Sequence, residues 1–216
     1  MSKERPILFN GAMVRAILSG EKTQTRRVLK QATGPSLSVD MVEDAAGVAE
    51  LSWLQGDGPG YEVEETTNRV RCPFGQPGDR LWVRESFWGC DMPGYGDQPC
   101  VVYDNEWSGK EYLPAEARPW ARKFGRIPAI HMPRAACRLV LEITAVRVER
   151  LQAISEVDAI AEGIERNTDE GVTYCGRYGA GDARPSYAFR DLWTSTGGDW
   201  DSNPWVWVIE FKVVAG

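Results

Sequence analysis

Hydrophobic and polar residues alternate with the period of a β-strand in several segments of the chain. The longest is residues 137–151, "CRLVLEITAVRVERL", whose β-branched residues predict a long strand with a bend or bulge at Thr144–Ala145. Shorter strands are predicted in "KTQTRRVL", in "RLWVRESF" after a Pro-Gly-Asp turn, and in "NPWVWVIEFKVV". In this last strand the alternation places four apolar residues on one face: Trp205, Trp207, Ile209 and Phe211.

Three other segments have the period of a helix. Residues 12–19 place apolar side chains on one face, and Gly20 follows as a helix-terminating residue. Ser155 begins an S-x-x-D capping box, and Gly163 ends the short helix after it. The segment "SYAFRDLWTS" after Pro185 predicts a third helix. Strands dominate and do not alternate regularly with helices, which predicts an α+β fold, best satisfied by a small closed or partly closed β-barrel with peripheral helices.

Two long segments lack this periodicity. Residues 31–71 are rich in Gly, Pro and acidic side chains and are predicted to be an inserted loop or small hairpin. Residues 89–136 are predicted to be a second irregular insertion. A chain of 216 residues is long enough for one buried core that carries such insertions, so we predict a single domain over residues 1–216.

Composition excludes several classes of protein. No apolar run approaches the roughly 20 residues that span a bilayer, and residues 1–9 lack the apolar core of a signal peptide, so we expect a cytoplasmic protein without membrane attachment. The five cysteines form no CxxC pair and His131 is the single histidine, which argues against a metal site. The chain has no GxxxxGK[ST] phosphate loop and no dinucleotide fingerprint, and we expect no cofactor.

Charge is distributed unevenly although the net charge is only −6. Residues 1–30 contain seven Lys or Arg and two acids, and residues 118–150 contain eight and two. These basic segments either converge on one patch for an anionic or nucleotide ligand or pair with the acidic segments between them. Charge alone leaves both interpretations open.

Four sequence blocks occur in an order that is distinctive. They are "ILSGEKTQTRR" after a short helix, "GDRLWV", a strand leading into "LQAISEVDAIAEGI", and "WVWVIEFKVV". Together they resemble the ASCH family, a branch of the PUA-like barrels, and "CPFGQPGDRLWVRESF", "IHMPR" and "YAFRDLW" resemble the longer ASCH proteins of phage and prophage genomes. Small bacterial enzymes of this family hydrolyse N4-acetylcytidine with a lysine, a threonine and a later glutamate, which match Lys22, Thr25 and Glu162.

The resemblance implies a metal-independent amidohydrolase acting on N4-acylated cytidine or cytosine nucleosides. Thr25 offers a nucleophilic hydroxyl, and Lys22 can deprotonate it if burial or neighbouring cations lower the lysine pKa from about 10.4. Glu162 would bind the cytosine edge or carry a proton to the exocyclic nitrogen, and Arg26 would anchor a carbonyl oxygen or hold Glu162. Because Lys22 and Thr25 point to opposite faces of an ideal strand, we predict an irregular backbone between Gly20 and Arg26.

Arg84 and Trp88 are further candidates for substrate binding, with the indole stacking on a base. Three alternatives stay open: a non-catalytic RNA or modified-base binder whose residues 118–150 follow the phosphates, an ASCH-type ribonuclease that uses the same lysine, and a phage interaction protein. The expected partner is a small nucleoside, with RNA as the alternative, and the sequence does not predict the oligomeric state. An enzyme requires the lysine, threonine and glutamate to converge in a small pocket, whereas a binder requires an open basic groove.

Overall fold

The protein is strand-rich, and its computed structural model describes residues 2–32, 37–55, 64–90, 100–103, 111–112, 125–164, 166–167, 173–175, 181–182 and 184–214. The strands are β1 (Glu4–Leu8), β2 (Gln24–Val28), β3 (Ser38–Met41), β4 (Val48–Gln55), β5 (Glu64–Arg71), β6 (Arg80–Arg84), β7 (Phe87–Cys90), β8 (Cys100–Tyr103), β9 (Glu111–Tyr112), β10 (Gly125–Ile127), β11 (Val140–Arg150), β12 (Arg166–Asn167), β13 (Thr173–Cys175), β14 (Gly181–Asp182) and β15 (Trp205–Val214). The helices are α1 (Gly11–Leu18), α2 (Glu156–Ala161) and α3 (Pro185–Ser195). The fold is therefore α+β with strands dominant, as predicted.

The central sheet has five strands in the order β1-β6-β11-β15-β2. β1 and β6 run parallel, and the other neighbours in this sheet run antiparallel. The register of the long β11–β15 pair shifts between Ile143 and Ala145, which confirms the irregularity predicted at Thr144–Ala145. An extra residue at such a point bends the strand and increases the twist of the sheet.

Both faces of β15 are buried. The predicted apolar face contributes Trp207, Ile209 and Phe211 to the main core, where α1 adds Val14 and Ile17. The opposite face contributes Val206 and Val208 to a second cluster beneath α2 and α3. A strand covered on both faces needs apolar residues at consecutive positions, which accounts for the nearly continuous apolar run in "WVWVIEF".

The two edge strands of the central sheet approach each other at one end. Arg27 on β2 donates a hydrogen bond from Nη2 to the carbonyl oxygen of Leu8 on β1, at 2.8 Å. Among the described strands β1 and β2 share no backbone pairing, so closure of the sheet into a barrel stays a prediction. β1 itself was not predicted, because it is short and contains Pro6, a residue that sheets accept at their edges.

The two insertions contain more regular structure than the sequence predicts. Within residues 31–71, β3, β4 and β5 form a three-stranded antiparallel sheet instead of a loop or small hairpin. Residues 89–136 contribute β8, β9 and β10 to a four-stranded sheet in the order β10-β7-β8-β9. Other parts of both insertions, and most of the glycine-rich segment 171–183, lie outside the described residues. No helix in the described ranges has the length and apolar character needed to cross a membrane.

We expect Leu141→Ala to lower the free energy of unfolding by about 2–5 kcal/mol, because it leaves a cavity at a side chain with no exposed surface in the centre of the sheet. Urea denaturation followed by tryptophan fluorescence measures the change. Val213 lies directly opposite Leu141 on β15 but is half-exposed, so Val213→Ala should lower it by less than about 1 kcal/mol. Equal losses in the two variants would contradict this placement of the core.

Candidate functional site

Lys22 is positioned by the turn that links α1 to β2. Gly20 has a φ of 81°, in the left-handed region that glycine tolerates, and it turns the chain away from the helix. The backbone N–H of Lys22 then donates to the carbonyl of Ala16 at 2.9 Å, and Lys22 forms an isolated β-bridge with Glu162. The irregular backbone predicted between Gly20 and Arg26 therefore extends only to Thr23, since regular strand begins at Gln24.

Glu162 is positioned by the end of α2. The Ser155 hydroxyl accepts a hydrogen bond from the backbone N–H of Asp158, which confirms Ser155 as the N-cap of the predicted capping box, and Glu162 is the C-cap residue directly after the helix. Gly163 follows with a φ of 83°. A Cβ added at Gly163 would lie 2.9 Å from the Cβ of Lys22, so the glycine allows Lys22 to pack directly against the helix end.

The structure brings three of the predicted residues into direct contact. Lys22 Nζ donates to the carboxylate Oε2 of Glu162 at 2.7 Å and to its carbonyl oxygen at 2.8 Å. Arg26 Nη1 donates to the other carboxylate oxygen, Oε1, at 3.0 Å. Lys22 and Arg26 are each 2% exposed and Glu162 is 4% exposed. The carboxylate is thus held between two cations in the interior, where each charge needs its partner.

Arg26 is held in turn by further acidic side chains. Its Nε and Nη2 atoms donate to Glu149 Oε1 at 2.9 and 2.5 Å, and Nη2 lies 3.4 Å from Asp158 Oδ2. Arg147 also contacts Asp158, at 3.2 Å, and forms an ion pair with Glu210. The result is a connected network that joins β2, β11, β15 and α2, in which the charge of Arg26 is compensated by carboxylates.

Burial lowers the pKa of Lys22, Glu162 opposes this effect, and Arg27 and Arg26 add to it. The net direction is downward, as an amine that acts as a base requires. Burial also lowers the pKa of Arg27. The environment of Lys22 therefore favours the neutral amine more than water does.

A cavity of about 340 Å³ opens beside these charges. Thr25, Arg26 and Glu162 lie on its wall, and the aromatic side chains of Phe9 and Phe189 line it as well. Lys22 does not line the cavity and lies behind Glu162, with Nζ 5.7 Å from the ring centroid of Phe9. No side-chain hydrogen bond in the described residues joins Thr25 to Lys22 or to Glu162. The cavity therefore presents a hydroxyl, a carboxylate and a guanidinium between aromatic rings.

Arg84 and Trp88 do not line this cavity. The guanidinium of Arg84 lies 5.3 Å from the ring centroid of Trp82 and donates to the carbonyl of Ile130. Trp88 lies on β7 and is 43% exposed. Their roles in substrate binding stay predictions, and the structure brings neither of them to the cavity wall.

Several residues of the site were not predicted from the sequence. Phe9, Phe189 and Trp193 line the cavity, and Glu149 and Asp158 hold Arg26. The blocks "ILF" and "YAFRDLW" contain the three aromatic residues, but helix and strand periods do not distinguish a cavity wall from a core. As to metals, the ranges that the structure describes contain no group of three or more His, Cys, Asp or Glu side chains able to hold an ion.

Gly163→Ala is expected to destabilise the protein more than Gly20→Ala. Both glycines follow a helix and have nearly equal positive φ values, so both variants carry a backbone penalty of about 1–2 kcal/mol. Only the Cβ at Gly163 meets other atoms, Ala16 Cβ and Lys22 Cβ at 2.9 Å, whereas nothing lies within 4 Å of a Cβ at Gly20. Urea denaturation of the two variants measures the difference. Equal destabilisation would show that Lys22 does not pack against Gly163.

Removal of the Lys22 amine is expected to change how stability depends on pH. Between the lowered pKa of Lys22 in the folded protein and about 10.4 in the unfolded chain, the unfolded chain binds more protons. The free energy of unfolding of the wild type, relative to Lys22→Met, should therefore rise with pH across this window. Urea denaturation of both proteins at a series of pH values up to about 10 tests this. A constant or falling difference would contradict the lowered pKa.

Comparisons with protein-family models, with curated proteins and with solved structures find no match for this chain. The resemblance to the ASCH family therefore rests on the sequence blocks quoted above. Function has to be inferred from the side chains that meet at the cavity, and these are Thr25, Arg26 and Glu162, with Lys22 behind them.

Proposed function

We propose that the protein is a metal-independent amidohydrolase that removes the acyl group from N4-acylated cytidine or related cytosine nucleosides. The observation that carries the proposal is the meeting of Thr25, Arg26 and Glu162 at one cavity, with the buried amine of Lys22 on Glu162. A volume of about 340 Å³ falls in the range of small-molecule sites. Aromatic walls suit a planar base, and the carboxylate suits its hydrogen-bonding edge.

The proposal includes membership of the ASCH family and a PUA-like barrel. It is supported by the order of the four sequence blocks and by the central sheet, whose edge strands β1 and β2 approach each other at the hydrogen bond from Arg27 to Leu8. The lysine and glutamate that the resemblance singles out are 140 residues apart in sequence and form a hydrogen-bonded pair. A surface strand with solvated lysine and arginine, the simplest alternative for this segment, does not account for their burial.

In the proposed reaction the hydroxyl oxygen of Thr25 attacks the carbonyl carbon of the N4-acyl group. An O–C bond forms, the amide C–N4 bond breaks, and the acyl group is carried as an ester on Thr25. The hydroxyl proton passes to the Lys22 amine, in the neutral form that the lowered pKa makes more accessible, and is returned, through the Glu162 carboxylate that Lys22 contacts, to the departing N4. Water then hydrolyses the ester and releases the carboxylic acid and the threonine.

For this step Lys22 has to give up a hydrogen bond to Glu162 and form one with the Thr25 hydroxyl. Its Nζ donates to two oxygens of Glu162 in the structure, and the Thr25 hydroxyl is not among its partners. Catalytic hydrogen bonds often tighten only when substrate is bound. A base that binds the Glu162 carboxylate would compete with Lys22 for Oε2, and release of that contact would free the amine for Thr25.

A second candidate is a non-catalytic binder of a modified base. The observation that favours it is that Lys22 is hydrogen-bonded to Glu162 and lies behind the cavity wall, where it organises the carboxylate without touching a ligand. In this case Glu162 would form hydrogen bonds with the base, the aromatic side chains would pack against it, and no covalent bond of the ligand would break. The two candidates differ in whether Thr25 is needed for turnover.

Thr25→Val should abolish hydrolysis of N4-acetylcytidine, with a loss of at least about 10²-fold in kcat, because it removes the hydroxyl and preserves the shape of the side chain. Thr25→Ser retains the hydroxyl and should keep measurable activity. Thr23→Val is the matched control, since Thr23 is exposed two residues earlier. Ultraviolet absorbance follows the reaction, in the presence of a chelator as well as in its absence.

Turnover that persists in Thr25→Val would remove Thr25 as the nucleophile. Turnover lost with chelator would remove the metal-independent mechanism. If the wild type binds N4-acetylcytidine but hydrolyses neither it nor larger acyl cytidines, the non-catalytic binder replaces the amidohydrolase. A binding assay by calorimetry therefore accompanies the kinetics.

A further inference from the structure

A second cavity, of about 840 Å³, lies beside the candidate site along the edge strand β2. It shares four wall residues with the first cavity: Arg26, Arg27, Trp193 and Thr196. Lys30, Phe74 and Trp207 line only the second cavity. The two cavities thus adjoin at these four residues, so a phosphate bound in the second would lie next to a base bound in the first.

The wall of the second cavity is cationic. Arg26, Arg27 and Lys30 line it, and no Asp or Glu does. Arg26 is compensated by Glu149, Asp158 and Glu162, as described above. Within the part of the chain that the structure describes, Arg27 and Lys30 form no ion pair with a carboxylate, and the Arg27 guanidinium donates to the carbonyl of Leu8. Arg27 and Lys30 thus line this cavity without a carboxylate in direct contact, although Glu162 acts on Arg27 at longer range and the Arg27 guanidinium also lies 5.3 Å from the ring centroid of Phe9.

The backbone at the other side of the cavity does not supply anion-binding groups. The N–H groups of Thr196, Gly197 and Gly198 donate to carbonyl oxygens at the end of α3. The Thr196 hydroxyl likewise donates to the carbonyl of Trp193. Recognition of a negative charge in this cavity consequently falls to the side chains of Arg27 and Lys30.

We propose that the second cavity is a phosphate subsite and that the preferred substrate is an N4-acylated cytosine nucleotide rather than the free nucleoside. This inference rests on the proposed function, because it takes the first cavity as the base site. A phosphate monoester carries a charge of about −1.5 to −2 near neutral pH and a phosphodiester within a polynucleotide carries a charge of about −1, and either suits a wall with two cations that no carboxylate contacts directly. Arginine and lysine are the side chains that bind phosphate, through a planar fork and a point charge respectively. The phosphate belongs either to a mononucleotide or to a residue within a polynucleotide.

The test compares kcat/KM for N4-acetylcytidine, its 5′- and 3′-monophosphates, and a trinucleotide with N4-acetylcytidine in the centre. A phosphorylated substrate should be favoured by roughly ten- to hundredfold, as expected for hydrogen bonds to a charged group. Lys30→Ala should reduce that preference. The exposed Lys212, on β15 and outside both cavities, provides the matched control Lys212→Ala, which should retain the preference.

Preference for a monophosphate identifies a mononucleotide substrate, and preference for the trinucleotide alone identifies a polynucleotide. Equal kcat/KM values for all four substrates, or a preference that Lys30→Ala leaves intact, would overturn the subsite. If no substrate is hydrolysed, the proposed function fails. The phosphate subsite is then tested independently, by calorimetry that compares the affinities for cytidine and the two cytidine monophosphates. Equal affinities for these three molecules would then overturn it.

Discussion

The enclosure of one carboxylate between two cations is the interaction on which the site depends. Glu162 is buried at the end of α2, and Lys22 and Arg26 reach its two oxygens from the turn before β2 and from β2 itself. A buried charge without its partner is strongly destabilising, so these three residues hold one another in place. The same contacts fasten α2 to the edge of the central sheet and set one wall of the cavity.

The central sheet supplies the frame for this arrangement. β15 lies between β11 and β2, and its buried faces separate the main core from the cluster beneath α2 and α3. Arg26 on β2 can therefore meet Glu149 on β11 across the intervening strand, on the side where α2 packs. The carboxylates of Glu149 and Asp158, which hold Arg26, therefore also fix the position of the guanidinium that contacts Glu162.

Local patterns in the sequence predict much of this fold and part of the site. The β11 strand with its bulge, the capping box at Ser155 and the apolar face of β15 all follow from periodicity and end signals over a few residues. The pairing of Lys22 with Glu162 was expected only through the family resemblance, because no local rule links residues 140 positions apart. The sheets within the two insertions were not predicted because β5, "EETTNRVR", has almost no apolar residues and because the glycines and prolines between the strands are typical of loops.

The distance along the chain between Lys22 and Glu162 has a consequence for folding. Contacts between remote segments form slowly, because the chain loses conformational entropy when the long loop closes and the stabilising contact forms only afterwards. β2 has to pair with β15, and the end of α2 has to pack against the turn after α1, before the Glu162 carboxylate can contact both Lys22 and Arg26. The candidate site is therefore a property of the finished fold, and partly folded chains or fragments that lack either segment do not contain it.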